Sequence, residues 1–424
     1  MAWTAKITTA VCLAGRRLRT FVHPNVIVGK VPPNVHADRN LPVKVRDGTT
    51  LRVNVFPSEP GTYPVIMSAH PYDKDRIPAR SRSGRAENLH YRLFPQPEPV
   101  SFSEWTSWEA PDPGVWVPRG YVVVNADLRG GGTSEGTGDV FSDEEAQDYY
   151  DLIEWAGVQP WSNGRVGLDG VSYLCMSQYK VAALNPSHLA AVCPWESFSD
   201  LYRDFTRPGG SREDGFSIVW SKGTKNIARL RGDICQEICA RPERDEWYRS
   251  KTPNIERIEV PMLVCASFSD HSLHSRGSFE VFRRAASPQK WLYTHRSGKW
   301  STYYSQRATA VWRMDGTRGP PSTWRSTTAA PIPSPSLRKT LGRPAISTGG
   351  RFGSIQATWY LERRLQPLSP RPCFHRATFF VFDGRFRRIW TSSVRWLYDY
   401  GSKPRTRAIR SSSPAFESSE PAPK

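Results

Sequence analysis

The chain has 424 residues, 38% of them apolar and 23% charged, which leaves room for two or three domains of ordinary size. No apolar run reaches the roughly 18 residues that a membrane-spanning helix needs, so we expect no membrane partner. The net charge of +18 could indicate nucleic-acid binding, but residues 1–310 hold 38 basic and 34 acidic side chains, whereas residues 311–424 hold 20 and 6. The basic charge is concentrated in the tail, which shows no folded surface pattern, and we expect no nucleic-acid partner.

Seven cysteines without a framework spacing favour reduced thiols, and we expect a cytoplasmic protein. Cys235 and Cys239 are four residues apart, but no second pair or nearby histidine completes a zinc site. We therefore predict neither a metal nor an organic cofactor. Residues 1–37 form an N-terminal extension, whose first 23 residues contain three arginines and no acidic residue; whether it is a targeting segment is left open.

Predicted strands and helices alternate from residue 38 onward. Strands are predicted at 41–45, 50–56, 63–69, 121–126, 165–168, 189–193, 261–266 and 290–294, and helices at 144–156, 172–184 and 273–284. Continuous β-branched runs such as 122–124 are typical of strands that are buried on both faces. The pattern predicts an α/β fold in which a mostly parallel sheet is covered by helices on both faces.

The strand pattern is interrupted once and then ends. Residues 197–259 are polar with scattered aromatic residues, which predicts a helical cap inserted between a first core part, 38–196, and a second core part, 260–307. Residues 308–424 are rich in Arg, Ser and Pro and show neither strand nor helix periodicity. We expect this basic, low-complexity tail to be disordered or to be read from a shifted frame.

The segment around Ser172 combines an apolar strand, a tight turn and a helix. A serine on such a turn is a candidate nucleophile if a histidine can take its proton and a carboxylate can orient that histidine. Asp270 and His295 each follow a later predicted strand, in the chain order that sheet-based hydrolases use. We therefore predict Ser172 as nucleophile, Asp270 as acid and His295 as base, and we expect His271 and His274 to lie on the following helix without a catalytic role.

Two groups could bind the developing oxyanion. The backbone N–H of Tyr173 follows the nucleophile directly, and the phenol of Tyr72 follows the predicted strand 63–69. Asp127 and Arg129, in a glycine-rich loop, lack the remainder of a phosphate-binding motif, and we interpret them as an internal ion pair that orders the loop.

Several segments together carry a family resemblance. They are His70-Pro-Tyr-Asp-Lys, Asp127-Leu-Arg-Gly-Gly-Gly-Thr-Ser-Glu-Gly, 145–155, Gln159-Pro-Trp-Ser-Asn-Gly-Arg-Val-Gly, Gly170-Val-Ser-Tyr-Leu and Phe268-Ser-Asp-His. Over residues 38–307 the chain resembles the Xaa-Pro dipeptidyl-peptidase-like hydrolases of the cocaine-esterase (CocE/NonD) type, and most of all their fungal branch. The resemblance implies an α/β-hydrolase fold and the same four side chains: Ser172, Asp270, His295 and Tyr72.

The chain departs from that family in two places. Cys175 stands where the family usually has glycine, and nothing after residue 307 resembles the family's C-terminal jelly-roll domain. We expect a serine hydrolase that cleaves an ester or amide bond, acyl or Xaa-Pro dipeptidyl, in a small molecule or short peptide. The alternative is an inactive or unstable remnant that lacks its β-sandwich. Substrate identity and homo-oligomer formation are left open, as is a role for Glu213 and Asp214 in binding a substrate amino group.

Overall fold

The computed structural model describes residues 21–22, 24–57, 60–76, 89–94, 96–268, 273–295 and 298–305, and the backbone of three strands between residues 357 and 398. The chain divides into two units, Met1–Ile332 and Pro333–Lys424.

An eight-stranded sheet forms the centre of the first unit. The strands of this unit are β1 (Val26–Gly29), β2 (Asp38–Lys44), β3 (Thr50–Phe56), β4 (Tyr63–His70), β5 (Val100–Ser103), β6 (Val122–Asp127), β7 (Ser162–Val171), β8 (Leu189–Trp195), β9 (Met262–Ser267) and β10 (Lys290–His295). The sheet order is β10-β9-β8-β7-β4-β6-β3-β2. In this order the six strands β10, β9, β8, β7, β4 and β6 are all parallel to their neighbours in that group. Strand β3 pairs antiparallel with both β6 and β2. The predicted mostly parallel sheet is confirmed.

A separate two-stranded parallel sheet, β1 with β5, was not predicted from the sequence. Each of these strands has four residues, which is too short to show a hydrophobic period. Both nevertheless contribute buried valines, Val26 and Val100, to one apolar cluster. Tertiary contacts, rather than local pattern, therefore determine this pair of strands.

The core lies on both faces of the main sheet. On β6, Val122 and Val124 belong to one apolar cluster and Val123 to the other, and all three are fully buried. Successive side chains of a strand point to opposite faces, so a strand between two helical layers needs apolar residues at every position. The valine run indicated this arrangement, and the structure confirms it.

Nine α-helices surround the sheets within the described residues of the first unit. They are α1 (Leu89–Leu93), α2 (Pro113–Trp116), α3 (Asp143–Gly157), α4 (Tyr173–Ala182), α5 (Phe216–Lys225), α6 (Ile234–Ala240), α7 (Glu246–Ser250), α8 (Ser275–Arg284) and α9 (Lys299–Tyr304). Helix α3 begins where it does because the Ser142 hydroxyl accepts a hydrogen bond from the Glu145 N–H, and three acidic residues occupy its first turn.

Residues 197–259, all of them described, contain helices, turns and isolated bridges but no strand. Besides α5–α7 they form a π-helix (Leu201–Thr206) and two 3-10 helices (Pro208–Gly210 and Ile255–Arg257); a further 3-10 turn, Val117–Arg119, lies outside the segment. Asp200, Asp233 and Asp245 each cap the helix that follows by accepting backbone N–H bonds. This helical content agrees with the predicted insertion, while its role as a cap domain stays a prediction.

The second unit contains one antiparallel sheet, in the order β11 (Ala357–Leu361), β12 (Cys373–Phe382) and β13 (Arg388–Tyr398). These strands lie in the tail that we expected to lack secondary structure. Their sequences are rich in aromatic and β-branched residues, which favour strands even where interspersed Arg and Ser break the alternation. The expectation of a shifted reading frame stays a prediction.

Candidate active site

Ser172 lies between β7 and α4 in a strained backbone conformation. Its φ and ψ are 61° and −111°, a region that L-residues other than glycine rarely adopt. The Ser172 N–H donates to the Trp195 carbonyl (3.0 Å), and the Ser172 carbonyl accepts from the Cys175 N–H (3.0 Å). Hydrogen bonds from the neighbouring strand and from the helix therefore hold the turn on both sides.

Gly170 and Cys175 let the helix pack tightly against this turn. A Cβ atom at Gly170 would lie 2.6 Å from the Leu174 Cβ, so the position requires glycine. The Cys175 thiol donates to the carbonyls of Gly170 (2.9 Å) and Trp195 (2.8 Å). Burial raises the pKa of this thiol well above its ordinary value, which keeps it protonated. Cys175 is therefore accommodated as a small buried residue, as expected, and is not an activated nucleophile.

His274 is the histidine that contacts Ser172. It directly precedes α8, its side chain is buried, and its Nε2 lies 3.0 Å from the Ser172 Oγ. This distance is within hydrogen-bond reach and suits proton transfer between hydroxyl and imidazole. From the sequence we expected His274 to lie on the helix without a catalytic role; instead it lies beside the predicted nucleophile.

His295 makes a different contact. It is the last residue of β10, in register with Ser267 of β9, and its Nε2 lies 2.9 Å from the Glu196 Oε1 with both side chains almost fully buried. Because His295 is still part of the strand, its ring packs against Trp195 and Tyr293 at the sheet edge. The predicted contact of His295 with Ser172 is therefore not what the structure shows, and Glu196 was not foreseen.

Asp270, the predicted acid, lies outside the described residues. The strand before it, β9, ends at Ser267, and description resumes at Leu273, directly before His274. Its catalytic role stays a prediction.

Tyr72 accepts a hydrogen bond from the cap segment. The indole N–H of Trp220, on α5, donates to the Tyr72 Oη at 2.7 Å. The Tyr72 ring also meets the Tyr173 ring edge-on at 5.4 Å. Desolvation raises the pKa of Tyr72 far above its ordinary value, and the bond from Trp220 opposes this rise without cancelling it. The phenol is therefore neutral near pH 7 and carries a proton to donate.

Tyr173 is anchored from behind by a buried carboxyl group. Its hydroxyl donates to the Glu145 Oε2 at 2.5 Å, and burial raises the pKa of Glu145 to about 7. This anchor fixes the first residue of α4, whose backbone N–H is the other predicted oxyanion donor.

These groups line a small, partly open cavity. Its lining contains Ser172, His274, Tyr72 and Tyr173. The other lining residues are aromatic or aliphatic: Phe141, Phe198, Phe205, Phe216, Trp220 and Leu273. Among the aromatic residues of segment 197–259, Phe205 and Trp220 line the cavity, whereas Trp247 packs on Tyr248. The cavity therefore combines three polar groups with an apolar surface.

The glycine-rich loop is held by ion pairs, but not by the one predicted. Asp127 is paired with Lys74 (3.2 Å), and both side chains are fully buried. Arg129 is paired with Asp148 (2.7 Å) and Asp47 (2.7 Å). The interpretation that Asp127 and Arg129 pair with each other is wrong, because each has a closer opposite charge on a neighbouring segment.

Glu213 and Asp214 are engaged elsewhere. The Glu213 carboxylate accepts three backbone N–H bonds at the start of α5, and Asp214 is paired with Arg212 at 2.5 Å. Among the described residues, no group of three His, Cys, Asp or Glu side chains could hold a metal ion. None of the described helices is both long enough and apolar enough to span a membrane.

Part of the chain is similar to known hydrolases. Residues 47–233 match the family of X-Pro dipeptidyl-peptidases (S15 family). Over 193 residues the chain is 32% identical to a cocaine esterase from Rhodococcus sp., a match that covers 45% of this chain and 29% of the esterase. Over 308 residues it is 25% identical to a Bacillus anthracis protein that carries the name Xaa-Pro dipeptidyl-peptidase, covering 63% and 49% of the two chains.

A solved crystal structure is similar to this chain as well. A CocE/NonD family hydrolase from Staphylococcus aureus aligns with a TM-score of 0.59 at 39% identity, over 65% of this chain and 48% of that chain. The expected fold class is therefore confirmed for the first unit. The chain spans less than half the length of each of these three relatives.

Proposed function

We propose that the chain, whose residues 47–233 match the X-Pro dipeptidyl-peptidase (S15) family, is a serine hydrolase acting through an acyl-enzyme on Ser172. The observation that carries the proposal is the 3.0 Å contact between the Ser172 Oγ and the His274 Nε2 at the wall of the cavity. A hydroxyl on a strained turn, bonded to an imidazole at the wall of a cavity, is the arrangement that nucleophilic acyl transfer requires.

In the proposed reaction the Ser172 Oγ forms a bond to the substrate carbonyl carbon while its proton passes to the imidazole. The electron pair of the carbonyl moves to its oxygen, where the Tyr72 hydroxyl and the Tyr173 backbone N–H donate hydrogen bonds. The carbonyl re-forms, the alcohol or amine leaves with the proton from the imidazolium, and water then releases the acyl group by the same steps. Each oxyanion donor is worth about 10²–10³-fold in rate in comparable enzymes.

We propose His274 as the base, because a general base must reach the proton that it removes. His295 remains the alternative inferred from chain order, with Asp270 as the acid in either case. His295 already has a buried carboxylate partner in Glu196. This contact supports a structural role for His295 at the sheet edge.

The cavity favours a particular class of substrate. Its described lining residues include no Asp or Glu, and Glu213 is occupied by backbone N–H groups. A dipeptide with a free ammonium group would lose its hydration here without gaining a carboxylate, at a cost of several kcal/mol. We therefore propose an ester or amide with an apolar acyl group, in preference to an Xaa-Pro dipeptide.

Labelling with a fluorophosphonate probe tests the nucleophile. Wild type should be labelled and Ser172→Ala should not; equal labelling of both proteins would refute the proposal. A panel of nitrophenyl esters and Xaa-Pro anilides tests the substrate class, and faster turnover of the anilides would overturn the preference for apolar acyl groups.

Matched substitutions test the base. His274→Gln should lower kcat by at least 10²-fold, since general-base catalysis contributes about 10²–10⁴-fold. His295→Gln should retain a larger fraction of the wild-type kcat than His274→Gln does, and it should lower the thermal stability. The reverse pattern would assign the base to His295.

A further inference from the structure

We propose that Trp220 is a positioning residue that sets the direction in which the Tyr72 hydroxyl donates its proton. The inference rests on the proposed function, in which Tyr72 binds the oxyanion, and it adds a residue from the inserted segment to that site. Its basis is the 2.7 Å hydrogen bond from the Trp220 Nε1 to the Tyr72 Oη.

The chemistry of the two groups makes this bond directional. An indole N–H can only donate, so the phenol oxygen of Tyr72 has to accept. A phenol without this partner could rotate its O–H freely or accept a bond from another donor. With one lone pair engaged by Trp220, the Tyr72 proton has to point away from the indole. Both side chains line the cavity that contains Ser172, so that proton is available to an oxygen bound there.

The bond also makes Tyr72 a better donor. A phenol oxygen that accepts a hydrogen bond becomes more polarised and donates its own proton more strongly, because hydrogen bonds in a chain reinforce one another. The effect grows as negative charge develops on the substrate oxygen. Trp220 should therefore contribute more to the transition state than to the bound substrate.

Packing fixes the Trp220 ring in this orientation. The ring is nearly parallel to Phe141, with centroids 5.9 Å apart and an interplanar angle of 12°, and it meets Phe205 edge-on at 5.3 Å. Its helix α5 is capped at the start by Glu213, which accepts the N–H groups of residues 215–217. The donor is therefore held from two sides and does not depend on Tyr72 for its position.

A double-mutant cycle tests whether Trp220 acts through Tyr72. The full chain is prepared as Trp220→Phe, Tyr72→Phe and the double variant, and kcat and KM are measured on the best nitrophenyl ester of the panel. We expect Tyr72→Phe to lower kcat by about 10²-fold. We expect Trp220→Phe to lower kcat by about 5–20-fold with KM changed less than about threefold, as for the loss of one supporting hydrogen bond. The double variant should be no slower than Tyr72→Phe alone.

Trp247→Phe is the control, since Trp247 is also an aromatic residue of the inserted segment and packs on Tyr248 at 4.9 Å. It should leave kcat within about twofold of wild type. If Trp220→Phe does not fold, Trp220→Leu, which also has no side-chain donor, carries the same cycle.

Two outcomes overturn the inference. One is an equal fold-loss from the Trp220 substitution in the wild-type and Tyr72→Phe backgrounds, which would assign Trp220 to packing. The other is an unchanged kcat in Tyr72→Phe, which would remove Tyr72 as a donor. Neither outcome would refute the proposed function as long as fluorophosphonate labelling still depends on Ser172.

Discussion

The buried ion pair between Lys74 and Asp127 gives the sharpest prediction for stability. The Lys74 Nζ lies 3.2 Å from the Asp127 Oδ2, with both side chains fully buried, and it also bonds to Asn40, Asp75 and Thr133. Lys74→Met keeps most of the volume but leaves the Asp127 carboxylate in the core without its counter-charge. Breaking one side of a buried pair costs about 3–5 kcal/mol.

Backbone contacts put the expected loss at the lower end of that range. Asp127 still accepts the N–H of residue 74 (2.6 Å) and that of Thr133 (3.1 Å), neither of which depends on the lysine side chain. We expect Lys74→Met to lower the free energy of unfolding by about 3 kcal/mol, with the remaining carboxylate still partly satisfied.

Urea unfolding followed by tryptophan fluorescence at pH 7 measures this change. Lys30→Met is the matched control, because its partner Glu104 lies 3.2 Å away but the Lys30 side chain is 83% exposed. An exposed pair contributes less than about 1 kcal/mol, so the control should be close to wild type. A loss below about 1 kcal/mol in Lys74→Met, or an equal loss in Lys30→Met, would refute the reasoning.

Three further predictions follow from burial and backbone geometry. Ser172→Gly should be about 1 kcal/mol more stable than Ser172→Ala in urea, because glycine tolerates a φ of 61° and alanine does not; an equal stability would argue against stored strain at this turn. The folded pKa of Glu145, about 7, lies above its ordinary value of 4.5, so its contribution to stability is full below about pH 4.5 and is lost as the pH rises through 7. In Glu145→Gln the free energy of unfolding should therefore fall less steeply between pH 4.5 and 7 than in wild type. An unchanged slope would show that Glu145 does not cause this pH dependence. A thiol reagent should modify the exposed Cys239 in the native protein but the buried Cys175 only after unfolding, as mass spectrometry of the peptides can show; native labelling of Cys175 would contradict its burial.

The main sheet could be predicted because its signals are local. Predicted strands 50–56 and 290–294 differ from β3 and β10 by at most one residue, since β-branched, aromatic and other apolar residues are concentrated in both segments. The turn at Ser172 was likewise predictable, because a strand, a glycine and a helix succeed one another within a few residues.

The partners within the site could not be predicted in the same way. Three histidines, His271, His274 and His295, follow Asp270 within 25 residues, and the sequence does not show which ring reaches Ser172. Which histidine reaches Ser172 depends on the residue at which β10 ends and the residue at which α8 begins. A shift of one or two residues in either boundary would change the answer. The bond from Trp220 to Tyr72 joins residues 148 positions apart and had no signal in either segment.

The sheet order has a consequence for how the protein would open locally. Ser172 follows β7, an inner strand of the eight, whereas β10, which carries His295, is at one end of the order. An end strand has a neighbour on one side only and opens at a lower free energy than an inner strand. Both ends of the order, β10 and β2, would therefore open before the inner strands, and opening of β10 would separate His295 from Glu196 while the turn at Ser172 is still folded. Such a partly opened molecule would retain its serine and most of its protected amide hydrogens, so hydrogen exchange resolved by segment would detect it before any global probe of folding.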